Sequence, residues 1–233
     1  MLTRLASVDS TMELAHAAAL AGAPHGTAFV AERQHLARGS RGRPWDSERG
    51  GLWLSVIARP ARADAFAALS LRVGLAIAEA IEGTWPAMPT LQVKWPNDLQ
   101  AEGRKVAGIL CEASWSGAEC RWVVVGVGVN VCNPLPAALI GQAARCDEWV
   151  PGADPAALLE RVLPAVTRVS GYAGPLTDPE LAAFLRRDAL AGRRVRAPVA
   201  GVVIGIAADG SLLVRDPGGQ ARPVLAGLVL DPA

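Results

Sequence analysis

The sequence predicts an α+β fold: a central mixed or antiparallel sheet with flanking helices, followed by a small C-terminal β module. Three observations carry that reading. Phe66, Leu69, Val73, Ile77 and Ile81 recur at helical spacing, which predicts a helix over 64–82. Two apolar runs, Lys105 to Trp115 and Arg121 to Val129, flank the Ser116-Gly117 turn as an antiparallel hairpin. From about residue 190 the pattern changes to short β segments, RRVRAP, GVVIGIA, SLLVRD and PVLAGLVL, with Asp209-Gly210 and Gly218-Gly219 as turns. The chain therefore divides into a body over 1–188 and a module over 189–233, too small to be stable alone and expected to dock on the body.

The remaining elements come in order along the chain. Residues 2–8 read as a short strand. Ser10 with Glu13 is a capping-box pair opening a helix that runs to Ala21 and stops at Gly22. Thr27–Ala31 and Leu52–Ala58 are strands. Between them, His35 to Gly50 carries glycine and basic residues without apolar periodicity and reads as a loop. Pro86 and Pro89 separate the long helix from a strand over 91–94. Leu158, Leu159, Val162, Val166 and Val169 mark a helix that Pro164 should kink or restart. Thr177 and Glu180 cap a further helix expected to stop near Gly192.

Composition narrows the function classes. With 51% hydrophobic and 19% charged residues, the chain has ample core and global disorder is excluded. The 23 basic and 22 acidic residues leave a net charge of +1, so there is no general field for nucleic acid or an anionic membrane. No apolar run approaches the ~20 residues that span a bilayer. Met1 to Thr11 lacks a signal-peptide core and carries Asp9. A cytoplasmic protein without nucleic-acid or membrane partners is expected; monomer and homodimer both remain open. Cys111, Cys120, Cys132 and Cys146 contain no Cys-x-x-Cys pair and lie far from His16, His25 and His35. Buried, reduced cysteines are expected, rather than zinc ligands or disulfides.

Three segments can carry chemistry. RQHLARGSRGRPW, residues 33–45, interleaves Arg33, Arg38, Arg41 and Arg43 with Gly39 and Gly42. Such an arm can wrap its backbone round an anion and offer several guanidiniums, although composition fits a solvated basic loop equally well. In KWPND…RKVAGIL, Asn97-Asp98 reads as a turn able to offer a carboxylate to magnesium or ribose. Lys105 then leads into Gly108, where a ligand can lie against backbone. An ordinary turn with a solvent lysine has the same spacing. However, only Lys94 and Lys105 among the 23 basic residues are lysine, and both fall in this stretch. GVGVN, residues 126–130, is no dinucleotide fingerprint, since it lacks a third glycine and a following helix. It is either a tightly packed core strand or a ligand-facing strand end with Asn130 as a polar contact.

Taken in order, Ser10-Thr11, ARGSRGRPW, GLWLS, KWPND with a lysine seven residues after the aspartate, AGIL and GVGVN make the chain resemble the biotin protein ligases. The likeness runs from about residue 3 to 230, and KWPND…KxxGIL is its most specific part. It implies a catalytic domain like those of class II synthetases and a C-terminal SH3-like barrel. It also implies the form without an N-terminal DNA-binding segment, because the motifs begin at Ser10. The implied substrates are biotin and ATP with Mg²⁺, and the implied acceptor is a biotin carboxyl carrier protein domain. Biotin is activated as biotinyl-5′-AMP and then passed to an acceptor lysine.

The resemblance assigns roles residue by residue. Ser10, Thr11, Met12 and Gln34 fall at the ureido ring of biotin. Arg38 and Lys105 are the cations facing its carboxylate and the α-phosphate, and are the implied catalytic pair. Gly39 and Ser40 belong to the same binding loop, and Gly108, Gly126 and Gly128 line the biotin floor. Arg41, Arg43, Trp45, Asn97, Asp98 and Asn130 fall on the nucleotide side, with Asp98 the candidate for magnesium. Three positions depart from the family pattern: Ala37 replaces a glycine, Ser40 an arginine and Met12 an asparagine. The Ser40 departure implies weaker retention of the adenylate. The rival readings are a lipoate or octanoate transferase and a biotin-sensing module without catalysis.

Overall fold

A computed structural model describes residues 1–225 of the chain. The last expected strand, PVLAGLVL, and the end of the 189–233 module lie partly outside the described residues. Strand β1 (Leu2–Leu5) leads into helix α1 (Thr11–Leu20), which returns the chain to β2 (Ala28–Ala31), parallel to β1. All other pairings between these strands are antiparallel. β2 pairs with β3 (Leu52–Ala58), and β3 pairs with a long hairpin of β6 (Arg104–Ser116) and β7 (Glu119–Val129) through β7. β4 (Gln92–Lys94) and β5 (Asp98–Ala101) complete the sheet beside β6. The order β1-β2-β3-β7-β6-β5-β4 makes one seven-stranded mixed sheet, as the sequence predicts.

Strand β3 is buried along its whole length, which is why LWLSVIA reads as an unbroken apolar run rather than an alternating one. Its Leu52, Leu54, Val56 and Ala58 share the main core with α2 (Phe66–Thr84) and α3 (Pro155–Ser170). On the opposite face Ile57, Trp122 and Val124 pack against Met12, Ala15 and Ala19 of α1. Leu69, Leu71, Ile77 and Ile81 of α2 are wholly buried. Each contributes about 1.5–3 kcal/mol by leaving water. This burial, not helix propensity, fixes α2 across the sheet.

Several local expectations need correction. Ser10 occupies the cap position of α1 but its side chain makes no capping bond. Glu13, the expected partner in that box, is drawn to Arg38, because a charge-assisted contact outweighs a neutral cap. Pro164 does not restart its helix. α3 runs through it as one element, with Leu158, Leu159, Val162 and Val166 buried on both sides of the proline. Helix α4 (Asp178–Leu185) has the expected Thr177–Glu180 capping box but ends well before Gly192. The chain there serves the sheet edge instead: Val93 N–H donates to Arg187 O at 2.8 Å, and Ala189 N–H donates to Val93 O at 3.1 Å. Asp98 is not a turn residue but starts β5, paired with Lys94 across Trp95-Pro96-Asn97. All four cysteines are free, yet Cys132 is exposed where the chain leaves β7. Burial pushes the Cys146 thiol up to about 12.

The C-terminal strands β8 (Arg194–Val195), β9 (Gly201–Ile206), β10 (Leu212–Arg215) and β11 (Ala221–Val224) form a second, antiparallel sheet in the order β11-β10-β9-β8. It docks on the body, with Val195, Val203, Leu212 and Val214 joining the main core. The Trp95 indole N–H donates to Gly210 O at 2.9 Å across that junction.

Arg72, 5% exposed on α2, ties helix to helix. It holds both oxygens of Glu180 at 2.6 and 3.0 Å and donates to the carbonyls of Tyr172, Gly174 and Pro175. Burial pushes the Glu180 carboxyl up, but the Arg72 guanidinium and the Thr177 donors outweigh it and hold it below the usual carboxylate range. A depressed carboxyl stabilises the fold above its unfolded-state pKa, and this contribution disappears as pH falls through the folded value. Glu180→Gln is therefore expected to cost about 3 kcal/mol at pH 7. Its melting-temperature deficit should close as pH drops below the carboxylate range; a deficit independent of pH would contradict the assignment.

Candidate active site

The site face of the sheet is built on missing side chains. Gly108 of β6 lies directly opposite Gly128 of β7, and Gly126 lies opposite Leu110 and beside Ser55 of β3. The period of two puts Gly108, Leu110 and Glu112 on this face of β6. The space above the glycines is filled. A Cβ at Gly128 would lie 2.9 Å from Cε2 and Nε1 of Trp45, and one at Gly108 would lie 3.0 Å from its Cζ3. At Gly126 a Cβ would meet Met12 Sδ at 2.5 Å. Trp45 and Met12 are thus packed onto backbone, with the indole bridging β6 and β7.

The arm carrying Trp45 is more ordered than the loop expected over 35–50. Its two limbs run back to back: Gln34 N–H donates to Ser47 O at 3.0 Å, Trp45 N–H to Ala37 O at 3.0 Å, and Gly39 N–H to Arg43 O at 2.8 Å. The tip turns through Ser40–Gly42, where Arg41 and Gly42 adopt φ of 62° and 69°. One indole is the arm's apolar anchor, beside the polar contacts of Gln34 and Arg38, and one apolar residue has no periodicity for a sequence reading to detect. Arg41 and Arg43 are exposed at the tip.

At the start of α1 a polar network joins four segments. Gln34 Oε1 accepts from Thr11 N–H at 2.8 Å and from Thr11 Oγ1 at 3.0 Å. Because the Thr11 hydroxyl proton is committed to Gln34, the Ser55 hydroxyl is the donor in the 2.8 Å contact between the two. Gln34 Nε2 donates to Ser47 Oγ at 3.1 Å. Ser10 is buried beside Thr11.

Both expected cations are paired with carboxylates. Lys105 Nζ is 2.6 Å from Asp98 Oδ1 and 4.8 Å from the centre of a Trp45 ring. Its backbone is fixed by Lys105 N–H to Gln142 O and Ala144 N–H to Lys105 O, at 2.8 and 2.9 Å. Arg38 bonds Glu13 through Nη1, and Glu112 through Nη2 at 3.0 Å with a longer Nε contact of 3.4 Å. The Arg38 guanidinium holds the Glu13 carboxyl below the usual range, and the two carboxylates raise Arg38 in turn. Glu112 Oε2 also meets His16 Nε2 at 3.1 Å, and His16 Nδ1 accepts from Trp122 Nε1 at 3.1 Å.

The structure therefore gathers Thr11, Gln34, Met12, Arg38, Trp45, Lys105, Asp98 and the three glycines on one face. Asn97 and Asn130 have framework contacts. Asn97 Nδ2 donates to Ile109 O at 2.7 Å, locking β5 to β6, and Asn130 is buried with its Oδ1 accepting from Asn133 at 3.3 Å. Sequence reasoning missed Glu13, His16 and Glu112. The available signal was Glu112, a charge two positions from Leu110 on the glycine-bearing face of an apolar strand.

The site is thus a glycine floor on a mixed sheet, covered by an arginine-bearing arm and faced by a lysine. The chain belongs to the biotin/lipoate A/B protein ligase family, whose profile matches residues 5–130. It is 35% identical to a biotin–[acetyl-CoA-carboxylase] ligase of Paracoccus denitrificans, over 93% of this chain and 95% of that one. A Mycobacterium tuberculosis protein of the same name is 33% identical over 88% of this chain and 79% of its own length. The crystal structure of the Aquifex aeolicus biotin protein ligase with biotin and ATP superposes with a TM-score of 0.81 at 27% identity, covering 97% of this chain and 96% of that one. Among the described residues no helix is long and apolar enough to cross a membrane.

The packing of Trp45 on the floor has a direct consequence. Gly128→Ala is expected to expel the indole and loosen the arm, raising tryptic cleavage after Arg41 several-fold while the melting temperature changes little. Cleavage at the wild-type rate would show that Trp45 is not the anchor.

Proposed function

We propose that the protein joins biotin to ATP, forming biotinyl-5′-AMP and pyrophosphate, and passes the biotinyl group to a lysine of a biotin carboxyl carrier domain. The observation that carries this is Lys105, stacked on Trp45 over the glycine floor and paired with Asp98. In the first step a carboxylate oxygen attacks the α-phosphorus, and the bond to the β-phosphate breaks with its electrons leaving on pyrophosphate. In the second, the acceptor amine attacks the acyl carbon, AMP departs, and the amine proton is lost. Neither step needs a protein nucleophile. The work is to bring two anions together, orient them and keep water from the mixed anhydride.

Each residue has a task in that scheme. Thr11, Gln34 and Ser55 form a network of paired donors and acceptors suited to a neutral ureido ring. An aliphatic lipoyl or octanoyl chain has no amide donors or carbonyl to exchange for these bonds, which favours biotin. In this scheme Ser10, Met12, Gly39, Ser40, Gly108, Gly126 and Gly128 would surround the bound biotin. Arg38 and Lys105 meet the carboxylate and the α-phosphate. Trp45, Asn97, Asp98 and Asn130, with Arg41 and Arg43 of the arm tip, serve the nucleotide.

Among the described residues no three His, Cys, Asp or Glu side chains gather as a metal cage. That suits magnesium held mainly by phosphate oxygens and water, with Asp98 as a single carboxylate ligand. When bound, the ion would neutralise phosphate charge.

The test is incubation with biotin, Mg-ATP and an apo carrier domain. Incorporation on the carrier is expected; biotin binding without pyrophosphate release would make the protein a sensor. Lys105→Arg should keep its fold and lose about 10²–10³-fold in pyrophosphate release, the cost of misplacing one preorganised charge donor. Release near the wild-type rate would remove Lys105 from that role. Ser40→Arg should slow escape of free biotinyl-5′-AMP and reduce stray lysine labelling. Equal escape from both proteins would count against Ser40 as the weak point of retention.

A further inference from the structure

The two carboxylates on Arg38 are not equivalent. Glu112 takes the Nε–Nη2 edge of the guanidinium, whereas Glu13 takes only Nη1. Glu112 is fixed from behind. The Trp122 indole can only donate, so His16 Nδ1 is the acceptor and the ring proton sits on Nε2, donating to Glu112 Oε2. Three elements meet in this chain of bonds: β7 supplies Trp122, α1 supplies His16 and β6 supplies Glu112. Glu13 has no comparable support. It stands in the first turn of α1 with its side chain 60% exposed, against 30% for Glu112.

Charge and anchorage together decide which carboxylate yields to a ligand. One guanidinium facing two carboxylates leaves the cluster with a net negative charge. A third carboxylate, from a ligand, meets net repulsion unless one of the two leaves. The carboxylate held by one nitrogen and mostly in water is the one that leaves at small cost. The carboxylate held by two guanidinium nitrogens and a histidine stays. Departure of Glu13 would free Nη1, while Nε and Nη2 remain clamped and the guanidinium plane stays fixed.

We propose that Glu112 is a positioning residue that sets the plane of Arg38, and that Glu13 is a resident carboxylate which the biotin carboxylate displaces from Nη1. The inference rests on Arg38 facing the biotin carboxylate, as proposed above. It assigns opposite roles to two acidic residues on one cation. Glu13 competes with substrate, and Glu112 supports it.

The experiment compares KM for biotin and kcat for pyrophosphate release in wild type, Glu13→Gln, Glu112→Gln, Glu112→Asp and Arg38→Gln, with melting temperatures as the folding control. Glu13→Gln is expected to lower KM for biotin about threefold with kcat nearly unchanged. Glu112→Gln is expected to raise KM about tenfold and to lower kcat as well. Glu112→Asp keeps the charge but is too short to span both contacts, and should fall between. If Glu112→Gln is unstable, the Asp variant and Glu13→Gln carry the comparison. KM shifts in the same direction for the Glu13 and Glu112 variants would mean a bulk charge effect and overturn the proposal. So would unchanged KM in both, provided Arg38→Gln binds biotin poorly. Wild-type biotin KM in Arg38→Gln would instead overturn the role of Arg38 itself, and this proposal with it.

Discussion

The site depends on one contact: the Trp45 indole laid on Gly108 and Gly128, across the central strand pair of the sheet. A β-carbon on either glycine would sit about 3 Å from the ring, closer than packed carbon atoms tolerate. Two glycines facing each other on neighbouring strands are costly in a sheet, because each adds chain entropy and buries nothing. Here they let a residue from a distant arm reach backbone level. Lys105 then has a flat π face to lie on, and Asp98 holds its ammonium from the side. The seat of the indole, and with it the face on which the lysine lies, depends on that one absence of side chains.

The KWPND segment works in two directions at once. Trp95 is buried and bonded to Gly210 of the second sheet, at a turn where Gly210 packs on the backbone of Ala67 and Ala68 in α2. Three residues on, Asp98 faces Lys105. The small sheet therefore buttresses the hairpin that delivers the carboxylate. Lys94 pairs with Asp98 across the same hairpin, so a shift in the docking of the second sheet would be felt at the lysine. This gives the C-terminal strands a mechanical place in the site, although no described residue of theirs is assigned to the ligand.

Elements with a strong period were legible in the sequence. The α2 face, the β6–β7 hairpin and the Thr177–Glu180 cap were read from residues within a few positions of one another. The likeness to known ligases added the pocket residues, and most of them do share one face. What stayed hidden was decided by partners far along the chain. Glu13 looks like a cap because Glu180 is one; only Arg38, twenty-five residues away in sequence, diverts it. Helix α4 ends early because β4 needs hydrogen-bond partners at its edge. Trp45 was placed on the nucleotide side by the likeness, but its packing gave no sign, since the glycines beneath it lie sixty and more residues downstream.

The arm also carries its own weakness. Trp45 gains burial and a cation–π contact with Lys105, the latter worth about 0.5–2 kcal/mol. Yet its Nε1 is buried without a hydrogen-bond partner, and an unmatched buried donor costs about 1–3 kcal/mol. The two terms nearly cancel, so the closed arm rests on the apolar contact with the floor, the backbone bonds along its limbs and the ion pairs of Arg38 with Glu13 and Glu112. Arg38, Gly39, Ser40, Arg41 and Arg43 all ride on that arm. A ligand offering an acceptor near Nε1 would remove the penalty, and an anion would engage the guanidiniums. Closure is then strongest when the site is filled. For a reaction whose intermediate water destroys, that is the order in which the forces need to act.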